Sequence, residues 1–343
     1  MGRRTEYCIR AGWLGEFVLT LRVAVVGAGI AGLSCARELR RAGYFVEVFE
    51  EGRIIGGRLA TARLGTESFD TGAQYVSGRS TEFRAFLDEM VGLGYAARWM
   101  PRTRVGGQEG GGQLNPWFVG TPGMASIVRP LTEGIRVHVN QRVHTIERGD
   151  KGWRVWFEDE TSVGPFSAVA AAVPAPLARV LLGRVEEFAE PFARVRMAPC
   201  WCLSVRLEDR VLPDQDVFSD MNETIRWIAR NNSKPGRKSQ GESLVIHAAQ
   251  RFSRETEDME PQEVAEELWN EVCHALSLPP VRPSRMAAHL WKHGVVDQPL
   301  GETYLYSSEK NVGATGDWCL GRLAEHAFES GTKLARAIVS SLD

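Results

Sequence analysis

The chain has 343 residues, with 41 Lys and Arg against 43 Asp and Glu and a formal net charge of -2. That length suits about two domains, or one large domain with an insertion, and 43% hydrophobic residues allow a substantial core. The even charge balance has no basic stripe, which argues against a nucleic-acid partner, and no apolar run approaches the roughly 18 residues of a membrane span. Six cysteines (Cys8, Cys35, Cys200, Cys202, Cys273 and Cys319) lack zinc-site spacing and a histidine cluster. No metal site is therefore expected; free thiols in a reducing, cytoplasmic setting are.

The first segment, "MGRRTEYCIRAGWLGEFVLT", carries Arg3 and Arg4 but no sustained apolar region, so it makes a poor signal peptide. The expectation is that residues 1–20 are an extension and that native translation starts at Leu21 from a non-AUG codon. "RVAVV" then reads as a buried parallel strand. Gly27, Gly29 and Gly32 follow as G-x-G-x-x-G: one glycine for the tight turn, one for the approach of a pyrophosphate, one for close helix–strand packing. A helix runs through "GLSCARELRRAG" to a stop at Gly43. "FVEVFE" is the second strand, and its Glu50, 23 residues after Gly27, stands where an acid bonds ribose hydroxyls. A fingerprint set between strand and helix, with an acid closing the next strand, predicts a dinucleotide site. The acid favours an unphosphorylated adenosine ribose, as in NAD or FAD.

Further along, "RVHTIERGDKGWRVWFED" reads as two strands joined by a turn. "LVIHAAQ" and "AHLWKHG" read as strands whose alternation groups Val245 with His247, and His289 with Trp291 and His293, opposite Leu290 and Lys292. "PQEVAEELWNEVCHALSL" is a helix with Val264, Leu268, Val272 and Leu276 on one face. "GGQEGGG" (106–112) is a flexible turn, with a lid as its less favoured reading, and "SKPGRKSQGES" (233–243) an exposed loop.

The stretch "EGRIIGGRLAT" resembles the fingerprint extension of amine-oxidase-type flavoproteins. That resemblance implies that Gly56 and Gly57 pass under a flavin pyrophosphate and that Arg58 reaches a phosphate. "VGATGDWCLGRLAEHAFESGTKLARAI" is similar to their C-terminal element, which implies that Gly316 and Asp317 contact the ribityl chain. The helix after it would point its positive end at the flavin ring. Val143 would sit by the adenine, and Ala31, Glu51, Gln74 and Glu325 join the expected cofactor contacts. The cofactor implied is FAD, held without a covalent link. The implied fold is α/β: a discontinuous Rossmann-type FAD-binding domain (21–80, 130–180 and 300–343) with an inserted α+β substrate domain (81–129 and 181–299).

From about Arg22 to the C-terminus, "DTGAQYVSGR", "WFVGTPGMASI", "MAPCWCLSVRL", "WIARNNSKPGR", "LVIHAAQRFS", "HLWKHG" and "GDWCL" come in the order of the bacterial renalases, which the chain resembles. The resemblance implies oxidation of the 2- and 6-dihydro isomers of NAD(P) to β-NAD(P)+, with hydride passing to FAD and electrons to O2 to give hydrogen peroxide. The partners would be the dihydronicotinamide dinucleotide and O2, while oligomeric state stays open between monomer and dimer. Such a site needs flat surfaces and carboxamide partners rather than a strong base. Trp227, Trp291 and Tyr75 offer the first; His247, Gln74, Arg230 and His289 offer the second. The chain departs from the bacterial relatives at Leu290 and His293, which replace Arg and Tyr beside the tryptophan, and at His326, which replaces Gly. The alternatives are an FAD amine oxidase or other small-molecule flavin dehydrogenase, with Lys292 by the flavin, and a flavin-binding protein without turnover.

Overall fold

The computed structural model describes residues 21–105, 108–109, 115–237 and 240–343. The extension 1–20 and most of the 106–112 turn lie outside the described residues.

The strand Arg22–Val26 is buried along nearly its whole length, as an apolar run of β-branched residues demands at the centre of a parallel sheet. It pairs in parallel with Phe45–Phe49 on one side and Ala168–Ala171 on the other, so that Ala24 faces Glu47 and Val169. Arg136–His138 and Val312–Ala314 extend the sheet in parallel, and Leu305–Ser307 closes it as an antiparallel edge. These six strands come from three separated stretches of chain. Helices Ile30–Arg41 and Ala324–Leu342 cover one face. They approach so closely that a Cβ on Gly331 would lie 2.0 Å from the Ala31 carbonyl oxygen, and Ser34 Oγ donates to Phe328 O at 3.1 Å. The other face packs on a three-stranded antiparallel sheet, Val143–Gly149, Gly152–Phe157 and Ser162–Phe166, through Phe49, Ile146, Trp153 and Val155. The two-strand reading of residues 142–159 thus acquires a third strand. This α/β architecture, a Rossmann-type sheet interrupted by α+β structure, is the fold class expected from the fingerprint.

The second large sheet has seven strands, in the order Arg285–Gln298, Arg196–Leu207, Glu242–Ala248, Ile225–Arg230, Val217–Ser219, Thr103–Val105, Gln108–Glu109. It is antiparallel except between Val217–Ser219 and Thr103–Val105. Helix Pro261–Ala275 lies on one face, burying Val264, Leu268 and Val272 against Leu244 and Ile246. It stops one residue before Leu276, which is its C-cap. Alternation turns Val245 to the opposite face, where it meets Phe69 and Cys202, and His247 shares that side. Among the described residues no helix is long and apolar enough to cross a membrane, no group of His, Cys, Asp and Glu could hold a metal ion, and the five cysteines are free.

The exposed loop expected at 233–243 is a correction. Lys234 and Arg237 are buried, and Glu242 and Ser243 already belong to a strand. A polar, glycine- and proline-containing stretch normally runs over the surface; here Asp70 draws both cations inward.

Candidate active site

A cavity of about 720 Å³ runs from Glu50 and Glu51, past Gly29 and Gly57, to Thr71, His247 and Trp291. Its first half is a cradle of glycines. Gly27 has φ +101, and a Cβ there would strike the Ala172 carbonyl at 2.5 Å, so only glycine makes the turn. A Cβ on Gly29 would meet no heavy atom within 4 Å: the space above it is open. Helix Ile30–Arg41 starts at Gly29 with no side-chain cap and no acid in its first turn, leaving its first N–H groups free for an anion. The Gly56–Gly57 strap crosses Gly29, bonded by Gly56 N to Ala28 O at 2.8 Å. Glu50 is held in place by Ala28 N and Gly52 N, both at 2.8 Å. At the cavity's centre Arg58 grips Asp317 with two bonds, 2.7 and 2.6 Å.

Uncapped donors, open glycines, an acid for the ribose and an Arg–Asp pair make a donor set that fits FAD. Of the expected contacts, Gly27, Gly29, Ala31, Glu50, Glu51, Gly57, Arg58, Gln74, Val143, Gly316 and Asp317 line the cavity. Gly32 does not; it packs helix on strand, a Cβ lying 2.0 Å from Gly27 O. Glu325 is a correction. Its carboxylate turns away and accepts from Arg79 N and Ser80 N, at 3.0 and 2.6 Å, tying the long helix to the start of helix Thr81–Gly92.

The second half of the cavity is flatter. Tyr75 and Trp227 line it, and Tyr75 stacks on Trp117 at 3.8 Å, with Trp227 5.7 Å from both rings. His247, the cross-strand partner of Trp227, and Trp291 also line it, and both reach Thr71 O, from Trp291 Nε1 at 3.0 Å and His247 Nε2 at 3.3 Å. Burial is the main cause that pushes the His247 ring down to about 4, so it is neutral at physiological pH. Burial likewise lifts the Cys200 thiol on the cavity wall to about 11, so it offers no thiolate. Gln74 accepts from Lys234 Nζ at 3.0 Å, which also donates to Asp70 Oδ2 at 3.0 Å. Asp70 further takes Arg237 Nη2 at 2.5 Å, Thr61 Oγ1 at 2.9 Å and Met124 N at 3.1 Å. Burial alone would raise this carboxyl, but Lys234 and Arg237 reverse that and hold it below the ordinary carboxylate range.

Two further expectations need correcting. Arg230 lies outside the cavity; its guanidinium is spent on Glu242 and Asp216, both at 2.7 Å, and on Pro213 O at 2.7 Å. It is a structural cation under the sheet. The alternation through residue 293 also breaks. The register slips between Ala198 and Cys200, which pair with Val295 and Trp291, so a bulge brings Trp291, Lys292, His293 and Gly294 all to the cavity. His289 sits edge-on to Trp291 at 4.8 Å and does not line the cavity. Sequence reasoning missed Thr71, Asp70, Trp117, Lys234 and Arg237. All five stand in the quoted stretches, yet no local spacing signals their meeting.

Fold and site together define a flavoprotein of the oxidoreductase class, with a dinucleotide cradle opening on an aromatic chamber. Residues 94–339 match the family described as flavin containing amine oxidoreductase, and residues 25–90 match the NAD(P)-binding Rossmann-like domain. The chain belongs to the flavin containing amine oxidoreductase family, and its cofactor is FAD. It is 31% identical to mouse (Mus musculus) renalase over 176 residues, 48% of this chain and 50% of that protein. It is 37% identical to protoporphyrinogen oxidase 2 of Arabidopsis thaliana over 75 residues, 22% of this chain and 15% of that one. The match thus spans half or less of these curated relatives' length. Cyclohexylamine oxidase from Brevibacterium oxydans shares the fold, with a TM-score of 0.73 at 15% identity, covering 94% of this chain and 99% of that one.

Proposed function

We propose that the protein is a renalase-like oxidase of the 2- and 6-dihydro isomers of NAD(P), using FAD and O2. The balanced reaction is dihydronicotinamide isomer plus O2 plus a proton, giving β-NAD(P)+ and hydrogen peroxide. The observation that carries the reading is the chamber itself. Tyr75 and Trp227 give it aromatic surfaces, with Trp117 stacked behind Tyr75, and His247 beside Trp227 is neutral. A substrate that is already a hydride donor needs flat packing and carboxamide partners, not a strong base. FAD, when bound, takes up the hydride and passes the electrons on. The chain's own residues bind and orient: Tyr75, Trp227 and Trp291 offer flat surfaces to a planar ring, and His247 bonds its carboxamide. A cytoplasmic, non-covalent holoenzyme is part of this reading. So is the division into a discontinuous flavin domain, 21–80, 130–180 and 300–343, and an inserted substrate domain.

A second reading, an FAD amine oxidase, is favoured by one observation: the bulge brings Lys292 to the cavity wall. Anaerobic mixing of the purified holoenzyme with 6-dihydroNAD, β-NADH and a primary amine tests both. Rapid bleaching of the flavin band by the 6-dihydro isomer alone is the expected result. Bleaching by the amine alone would move the protein to the second reading.

A further inference from the structure

Gln74 stands between a buried charge cluster and the chamber, and its amide has no freedom. Lys234 Nζ carries only donors, so the Gln74 atom 3.0 Å from it is the carbonyl oxygen, Oε1. The other end, Nε2, faces two carbonyl oxygens, Asp70 O at 2.5 Å and Gly72 O at 3.0 Å. An amide nitrogen has two hydrogens, and both are committed. His247 Nε2 is a further neighbour of Gln74 Nε2, at 3.5 Å. With no hydrogen left for it, His247 Nε2 cannot be an acceptor there. It lies 3.3 Å from Thr71 O, which can only accept. The proton of the neutral ring therefore sits on Nε2. Nδ1 is left with a lone pair, has no partner among the described residues, and is not one of the sealed, unpartnered polar atoms. His247 lines the cavity, so this lone pair opens on it.

We propose that Thr71 O, beside a Gln74 amide whose hydrogens are already committed, fixes His247 as a hydrogen-bond acceptor toward the chamber, which selects substrates that present an N–H or O–H at that point. On the dihydronicotinamide reading, on which this substrate assignment rests, the group is the N–H of the carboxamide. Lys234 itself never touches substrate. Its three donor directions go to Asp70, to Gln74 and toward the face of Trp99, whose centroid is 5.4 Å away. Trp99 in turn packs on Trp117 at 5.7 Å, the ring on which Tyr75 stacks. One buried ammonium thus braces both Gln74 and the aromatic stack. Burial lowers the affinity of this ammonium for its proton, and Asp70 partly restores it. Arg237 shares the same carboxylate, so the cluster keeps a cation when Lys234 is replaced.

The test is a long-range proton–nitrogen spectrum of the FAD-loaded enzyme, labelled with nitrogen-15 at histidine, at neutral pH. The His247 signal is identified by its loss in His247→Asn. The expected pattern is a proton-bearing Nε2 and a proton-free Nδ1; a proton on Nδ1 overturns the proposal. In Lys234→Met the single pattern should persist, because Thr71 O still accepts from Nε2 and a turned-over Gln74 would present an oxygen there as well. His247→Phe, which removes the acceptor, should raise KM for 6-dihydroNAD about tenfold with kcat less affected, and an unchanged KM would overturn the acceptor role. Gln74→Glu gives a second check: with only acceptors at 74, His247 should keep its proton on Nε2 and gain a second one more easily. A change of tautomer there would show that Gln74 had been the donor in the natural protein. The spectrum needs no turnover, so its outcome is separate from whether a dihydronicotinamide reduces the flavin.

Discussion

Two buried charge clusters sit in the same part of the molecule and do different things. In the first, Arg230 bridges Asp216 and Glu242, and Glu242 also accepts from Val211 N and Leu212 N at 2.9 and 3.0 Å. Every partner there is backbone or counter-charge, and none lines the cavity. In the second, Lys234 and Arg237 share Asp70, and one of the bonds leaving the cluster, from Lys234 to Gln74, runs to a residue that lines the cavity. The closed cluster ties the ends of two interior strands to the loop at 211–216. The open one reaches the chamber. Burial and ion pairing look alike in both, so neither distinguishes a structural cation from one that bears on chemistry. The destination of the remaining hydrogen bonds does.

The comparison is broken most forcefully by removing each acid. Asp70→Asn strands two buried cations and should cost on the order of 3 to 5 kcal/mol by denaturant unfolding, whereas Glu242→Gln leaves Arg230 its Asp216 partner and should cost less. Only Asp70→Asn, where it still folds, should also alter flavin reduction; equal kinetic effects from both would erase the distinction. A smaller effect concerns acid. The folded protein keeps His247 neutral down to about 4, while the unfolded chain takes up its proton near 6.5. Between those values the unfolded state binds more protons, so stability should fall as pH drops through that window, by up to about 3 kcal/mol. Unfolding curves of His247→Asn should lack this slope.

Trp227→Phe should weaken substrate binding about tenfold, near 1.4 kcal/mol, without loss of stability. Its indole N–H is buried without a partner, so losing it costs nothing. A fall in thermal stability instead would make Trp227 a packing residue. The smallest effect is expected from Lys292→Met: turnover of the dihydro isomer should change by less than about twofold, because a spontaneous hydride donor asks no proton transfer of it. Loss of flavin reduction would favour the amine-oxidase reading.

The flavin half of the cavity was legible because its signals are local. Gly27, Gly29 and Glu50 work within one strand–helix–strand unit, and spacing alone reports it. Strand alternation also placed His247 on the face away from the helix-covered core. The chamber was less legible. Lys234 meets partners 164 and 160 residues away, and its "SKPGR" setting carries every mark of a surface loop. Arg230, four residues earlier, looked equally available, yet the strand turns it the other way. The bulge at 292–294 defeated alternation because its two extra residues leave no mark on the polar–apolar pattern.

The Arg58–Asp317 pair joins residues 259 positions apart. A ribosome must therefore make more than nine-tenths of this chain before the second half of the cofactor cradle exists. Flavin loading is then a late event in the life of each molecule, and a chain truncated anywhere before Asp317 should accumulate without its yellow colour, however well its first strand, turn and helix have formed.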